Sequence, residues 1–350
     1  MIKYILTTKD FFLDGPCGRV SHAKGFVDGL SKNKQHVTLI CGAGAKDFIE
    51  GNSYVRIKEV KFLLIIFFLF EFLFSILKKE KVILRWRPFL PFLFLPYIVF
   101  YKRTYFEVNS ITGLDSKYTL IRSVVRLSIY LIAKFSKIIV VSENSKKQIL
   151  SITKTTYPIY VMPNGFEPEA FKGFFPNFKS NAQPNLIYFG KKQEYYDWDN
   201  LYQVLSDNPD INLHIFGFND DVNLKNITFY GKFNHKSLIK EINTIVNPIL
   251  IIHPDSSEIA KSGSPMKLFE YAYLNVPVII GDSLSEIGGG FNEFIFYKSG
   301  DYESLISTIT YVIGDYNSLL EKSASLREKV ENNYTWDSIV GRWINYEFKK

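Results

Sequence analysis

The residues best suited to chemistry fall in one run: Ser262, Gly263, Ser264, Pro265, Met266, Lys267, Leu268, Phe269, Glu270 and Tyr271. Gly, Ser and Pro open a helix here. The first N–H groups of a helix have no internal partner, and its dipole end is positive. Such a start is an anion site. Pro265 suits the first turn, where no donor is lost. Glu270 stands five positions after Pro265, more than one turn deeper. There it accepts hydrogen bonds from hydroxyls while the helix start holds phosphate. A diphosphate joined to a ribose presents both kinds of group. Lys267 either adds charge near the helix start or points to solvent. An ordinary strand–helix unit with a surface Glu is the plainer alternative.

The elements that must position this run alternate short apolar stretches with helical ones, the pattern of a parallel α/β sheet. Strands are expected at residues 3–7, 37–41, 82–86, 105–108 and 137–141. The second half repeats the pattern at 185–189, 213–216, 227–230, 249–253, 276–280 and 293–297. Residues 167–184, rich in Phe, Pro, Lys and Asn without periodicity, read as a linker. The expectation is a first domain over 1–166 and a second over 185–334. Ligands of such sheets bind beyond the carboxyl ends of the strands.

The run Ser264 to Ile279 resembles the donor-site segment of bacterial glycosyltransferases of the two-Rossmann-domain (GT-B) type, family 4 in particular. Other matches keep the family's order. Gly15, Pro16, Cys17 and Gly18 follow the first strand; Met162, Pro163, Asn164 and Gly165 resemble its "IPNG" turn. Leu186 to Gly190 resemble the start of its second domain, and Tyr334, Thr335, Trp336 and Asp337 the "YSW" before its last helix. The resemblance implies two Rossmann-like domains facing each other across a cleft, with a last helix over about 335–350 packing back on the first. It implies that Glu270 binds the ribose of a nucleotide sugar. The family's second Glu, eight positions earlier, is Ser262 here, so the sugar-side contact departs from the pattern.

The resemblance also assigns the remaining site residues. Lys191, after Gly190, takes the place of the family's Arg and is the candidate for stabilising charge on the leaving phosphate. Lys192 adjoins it; the family's next Lys is absent, and Glu194 with Asp197, Trp198 and Asp199 stand there instead. Gly15 and Gly18 let backbone approach the diphosphate. Gly217, Gly231 and Phe233 mark strand ends where relatives clasp the nucleobase. Glu107, closing a strand, is either a cleft-facing catalytic residue or a plain exit to solvent. Arg85 and Arg87 line the acceptor side in the same way, and His22 is either a cleft residue or a core or surface one. Asp197, Trp198 and Asp199 have D-x-D spacing but are not read as a metal motif, and the resemblance implies neither metal nor cofactor.

Composition bounds the rest. The chain has 350 residues, long enough for two domains, and a net charge of +7. That charge suits an anionic substrate or an anionic membrane surface. No zinc-finger or RNP motif is present, so nucleic acid is not expected as a partner. The two cysteines, Cys17 and Cys41, form no framework. With no secretory leader pattern, the expected location is cytoplasmic. Residues 62–77 are almost all Phe, Leu and Ile, interrupted by Glu71 and Ser75 and followed by Lys78 and Lys79. A bilayer span needs roughly 20 apolar residues. Two readings stay open for this stretch and for the apolar segment 88–96: core helix, or helix lying on a membrane. The expected activity is retaining transfer of a sugar from a nucleotide-diphospho-sugar to a glycan or lipid-linked acceptor. A sugar-nucleotide epimerase and an inactive scaffold for a partner transferase remain as rivals.

Overall fold

The computed structural model describes the chain except residues 9, 14–16, 61–63, 181, 289–290 and 349–350; the side chains at 64, 65, 287, 288 and 348 also lie outside the description. It divides into two compact units, 1–165 with 336–350, and 166–335.

The first unit holds a parallel sheet of β1 (Ile2–Ile5), β2 (Val37–Cys41), β3 (Val55–Glu59), β4 (Lys81–Arg85), β5 (Thr104–Val108), β6 (Lys137–Val140) and β7 (Ile159–Val161). Its order is β3-β2-β1-β4-β5-β6-β7, so the direction of travel reverses between β1 and β4. Its helices are α1 (Gly18–Lys32), α2 (Leu64–Leu77), α3 (Leu90–Leu93), α4 (Leu95–Phe100), α5 (Thr119–Phe135) and α6 (Glu143–Ile152). The second unit holds β8 (Asn185–Phe189), β9 (Leu213–Phe216), β10 (Ile227–Phe229), β11 (Pro248–Ile252), β12 (Val278–Gly281) and β13 (Ile295–Tyr297). Its order is β10-β9-β8-β11-β12-β13, with the same reversal between β8 and β11. Around it lie α7 (Trp198–Asp207), α8 (His235–Ile242), α9 (Glu258–Ser262), α10 (Met266–Tyr273), α11 (Ser285–Gly288), α12 (Tyr302–Gly314) and α13 (Tyr316–Asn333).

Both sheets are parallel, with helical crossovers between most strands and loops joining β2 to β3 and β9 to β10, and strands covered on both faces read as apolar runs. Residues 167–184 lie inside the second unit. Phe171 is buried in its core, and Asn177 bridges to Val246. The last helix, α14 (Trp336–Phe348), belongs to the first unit. Its seat is made by small residues. A Cβ on Gly25 would fall 2.0 Å from the Trp336 indole, and one on Gly165 would fall 2.9 Å from it. Trp343 packs edge-on against Tyr105 of β5 at 5.6 Å.

Helices α2 to α5 share one apolar core on one face of the first sheet, with Phe68, Phe72, Phe94, Ile98, Val125 and Ile129 inside. Their polarity is inverted. On α2 the polar residues point inward: Glu71 is 7% exposed and Ser75 0%. Glu71 pairs with Lys3 and Lys58, both at 2.8 Å, and accepts the Ser75 hydroxyl at its backbone oxygen, 2.7 Å away. Ile66, Phe70, Leu73, Phe74 and Leu77 point outward. On α5, Ser128 is buried and accepts from the Trp86 indole at 3.0 Å, while Leu120, Ile121, Val124, Leu127 and Tyr130 are exposed. Residues 66–77 therefore carry a buried face and an exposed apolar face on one helix. Among the described residues no helix is long and apolar enough to cross a membrane.

Candidate functional site

The second unit gathers most of the expected residues at the reversal between β8 and β11, the place where open parallel sheets leave a crevice for ligand. Gly190 follows β8, Gly217 follows β9 and Gly231 follows β10 in close succession, all with positive φ (142°, 122° and 66°). The Gly190 amide donates to the Phe216 carbonyl at 2.9 Å, and the Gly217 amide to the Gly231 carbonyl at 2.7 Å. A Cβ on Gly217 would lie 2.1 Å from the Gly190 carbonyl oxygen. Gly217→Ala should therefore cost about 1–3 kcal/mol by overpacking, read as a lower urea midpoint. An unchanged midpoint would refute the close approach.

Helix α10 is latched to the end of β8. The Phe189 amide donates to the Tyr271 hydroxyl at 2.7 Å, and that hydroxyl donates to the Phe189 carbonyl at 3.0 Å. Lys267 Nζ donates to the Tyr188 hydroxyl at 2.6 Å and lies 4.2 Å and 4.7 Å from the ring centres of Tyr188 and Tyr196. A Cβ on Gly190 would fall 2.5 Å from Nζ. Lys267 thus does not point to solvent; it lies against the glycine turn. Pro265 is the N-cap of α10, one residue before the first turn expected for it, with φ −68° and ψ 123°. Lys267 and Glu270 are both half-buried. Burial pushes the Lys267 ammonium down to about 7, with Glu270 opposing. Burial pushes the Glu270 carboxyl up to about 7, with Lys267 opposing.

These shifts have a testable sign. A bound diphosphate favours the charged ammonium and raises the Lys267 pKa. Above about pH 7 the free protein has lost part of that proton. Binding must then take up protons, and affinity must fall as pH rises. Calorimetry in two buffers of different ionisation enthalpy should show the uptake in wild type and less of it in Lys267→Met, where the Glu270 carboxyl still titrates. Equal uptake by both would remove Lys267 from the anion site.

The other expected residues are placed less uniformly. Lys191 is exposed, and its carbonyl accepts the Tyr188 hydroxyl at 2.7 Å. Lys192 is committed to Asp220 at 2.5 Å, a carboxylate also held by Tyr202 at 2.9 Å. Ser262 ends α9 with its hydroxyl 3.3 Å from the Ile259 carbonyl; Gly263 is the cap of that helix, and Ser264 is buried. Phe233 packs edge-on against Phe189 of β8 at 6.2 Å.

Sequence reasoning missed Tyr188 and His253. His253 is fully buried, 4.2 Å from the Trp198 ring and 5.5 Å from the Tyr188 ring. Burial, then the charge of Lys267, holds it well below the usual imidazole range. Its backbone carbonyl accepts from Asp197 at 2.8 Å, which explains the Asp-Trp pair: Asp197 caps α7 while Trp198 fills the space over His253.

In the first unit, Glu107 is not an exit to solvent. It is 1% exposed. One oxygen accepts from the Tyr4 hydroxyl at 2.6 Å, and the other lies 2.5 Å from His22 Nε2. Burial pushes its carboxyl up, but His22 and then Arg85 outweigh this and hold it at about 2. His22 in turn reaches Asn164 Oδ1 at 2.5 Å through Nδ1. Gly18 opens α1, while Gly15 lies outside the described residues.

Known structures share this fold. Sucrose-phosphate synthase from Thermosynechococcus elongatus is 13% identical, with 99% of this chain and 98% of that one covered and a TM-score of 0.75. Anabaena HepE in complex with UDP-glucose is 10% identical, covers 100% and 99%, and has a TM-score of 0.72. A glycosyltransferase from Rickettsia africae is 14% identical, covers 99% and 97%, and has a TM-score of 0.71. No family model matches the chain, and no curated protein matches it in sequence. At these identities the likeness establishes the fold, the two-sheet α/β architecture of GT-B glycosyltransferases.

Proposed function

We propose that this chain is a retaining glycosyltransferase. It moves a sugar from a nucleotide-diphospho-sugar to a glycan or lipid-linked acceptor, in cell-surface polysaccharide synthesis, on the cytoplasmic face of a membrane. The observation that carries this is the placement of Lys267 of α10 against the Gly190 turn, at the β8/β11 reversal, with Glu270 on the same helix. Two of these neighbours are, by their own descriptions, a UDP-glucose complex and a glycosyltransferase, which supports the reading.

In this mechanism the bond from the anomeric carbon to the diphosphate breaks, and the acceptor oxygen bonds to that carbon from the same face. The acceptor proton passes to the leaving phosphate. Lys267 and the first amides of α10 hold the diphosphate, Lys191 adds charge as the oxygen leaves, and Glu270 accepts from the ribose hydroxyls. Gly190, Gly217 and Gly231 admit the nucleotide to the strand ends. Ser262, Gly263, Ser264 and Pro265 form the loop into α10, and Phe233 supports the base side. Glu107 acts as a positioning residue that fixes His22 and the Tyr4 hydroxyl. No metal and no further cofactor enters the scheme.

Incubation with UDP-, GDP- and CDP-sugars tests it. Release of sugar from one donor is the expected result. Interconversion of the sugar without release would make the chain an epimerase. Absence of both turnover and nucleotide binding would make it a scaffold.

The inverted helices α2 and α5 are proposed to rest on anionic lipid. Around them the exposed charges are Lys78, Lys79, Lys102, Arg103, Lys117 and Arg126 against Asp115 alone among residues 64–135.

A further inference from the structure

Three arginines meet at the other sheet reversal, between β1 and β4 of the first unit. Arg85 ends β4, and Arg87 lies two residues beyond it. Arg19 stands in the first turn of α1. The guanidinium carbons of Arg19 and Arg85 lie 5.5 Å and 5.3 Å from the centre of one ring, Phe11. Arg87 donates to Thr8 Oγ1 at 3.2 Å, spanning from the β4 end to the β1 end. Arg19 donates to the Asp10 carbonyl at 3.4 Å. Burial, then Arg85 and Arg19, lowers the Arg87 pKa, so the three groups sense one another.

Among the described residues, Arg85 and Arg87 have no hydrogen-bonded carboxylate. Glu107 lies 3.9 Å from Arg85 Nη1, beyond hydrogen-bond reach, and both its oxygens are taken by Tyr4 and His22. Arg85 Nη1 is buried with no hydrogen-bond partner among the described residues. Arg87 pairs with no carboxylate among them. A buried cation without a hydrogen-bonding partner is costly unless a ligand supplies one. Guanidinium forks fit phosphoryl oxygens bidentately.

We infer that the first unit has a phosphoryl-binding site of its own, made by Arg85 and Arg87 with Arg19, and that the acceptor therefore carries a phosphate or diphosphate. The acceptor assignment rests on the glycosyl-transfer reading above.

The test is a calorimetric titration of pyrophosphate into the full chain held in saturating UDP. Wild type should bind it. Arg87→Gln should bind it about 10- to 100-fold more weakly, the loss expected of a charge-assisted contact, with the same thermal midpoint and unchanged UDP affinity. Arg87→Lys should recover part of the loss, because the charge returns without the fork. Unchanged pyrophosphate binding in Arg87→Gln would overturn the site. An equal loss of UDP affinity would also overturn the inference, by placing the arginines on the donor's diphosphate. If UDP, GDP and CDP all fail to bind wild type, the donor reading fails, and the same titration without nucleotide still tests the arginines. Competition by glucose 6-phosphate would identify a soluble sugar phosphate as the acceptor class. Competition by a short-chain polyprenyl diphosphate would identify a lipid carrier. Competition by neither would overturn the acceptor assignment.

Discussion

Glu270→Ala is expected to weaken nucleoside diphosphate binding about 10- to 100-fold, the loss of a charge-assisted hydrogen bond contributing about 1.5–3 kcal/mol. The fold should not suffer. The contacts that seat α10 run through Lys267 to Tyr188 and through Tyr271 to Phe189. Burial already pushes the Glu270 carboxyl up to about 7, so the empty site holds this group at a cost. Removing it should leave the thermal midpoint equal or higher while affinity falls. Opposite signs in the two measurements distinguish a binding group from a structural one. Glu270→Gln, which keeps one acceptor oxygen, should lie between. Calorimetry that returns wild-type affinity for Glu270→Ala would show that α10 is not the ribose side of the site.

What the sequence discloses here follows from distance along the chain. The inner strands of the second sheet are legible, because strands buried on both faces are continuous apolar runs, and its partly exposed edges, Ile227–Phe229 and Ile295–Tyr297, are legible as short β-branched and aromatic stretches. The two strands missed in the first sheet are its edges. Val55–Glu59 carries Arg56, Lys58 and Glu59, and Ile159–Val161 is three residues long and half-exposed. The Gly190 turn and α10 are legible because each is a local pattern. Tyr188 and His253 are not, since both sit within or beside apolar strands and read as core. Their roles depend on Lys267, which meets Tyr188 from 79 positions away. Glu107 shows the same limit: its partners Tyr4 and His22 stand 103 and 85 positions off. Lys192 reads as a phosphate ligand until Asp220 is placed beside it. A sequence alone also cannot orient α2. The helix is apolar nearly all round, and its two polar residues turn inward to meet Lys3 and Lys58. A helix apolar on every side must find a second apolar neighbour.

For α2 and α5 that neighbour is proposed to be lipid, and the expected result is binding to anionic vesicles well above neutral ones. The outward residues include Phe70 (57% exposed), Phe74 (51%) and Leu120 (75%). Each basic residue near an anionic surface contributes about 1 kcal/mol. Salt should remove that part, through screening, and leave a remainder due to apolar insertion. Residues 67 and 68 would be poor probes, since Phe68 is fully buried and Phe67 partly so. The structure selects Phe70 and Phe74 instead. Replacing both with Ser removes at most roughly 3–6 kcal/mol of insertion, taking about 1.5–3 kcal/mol per fully buried Phe. That change should release the protein from vesicles and leave its melting temperature in place, because neither ring supports the core. Phe72→Ala should do the reverse: it empties a space shared with Phe94, Tyr97 and Tyr101 and should cost about 3–5 kcal/mol of stability. The pair of variants separates surface from core on one helix, within two residues of each other. Wild-type protein that stays free of anionic vesicles at low salt would overturn lipid as the partner of this face, whatever the stabilities show.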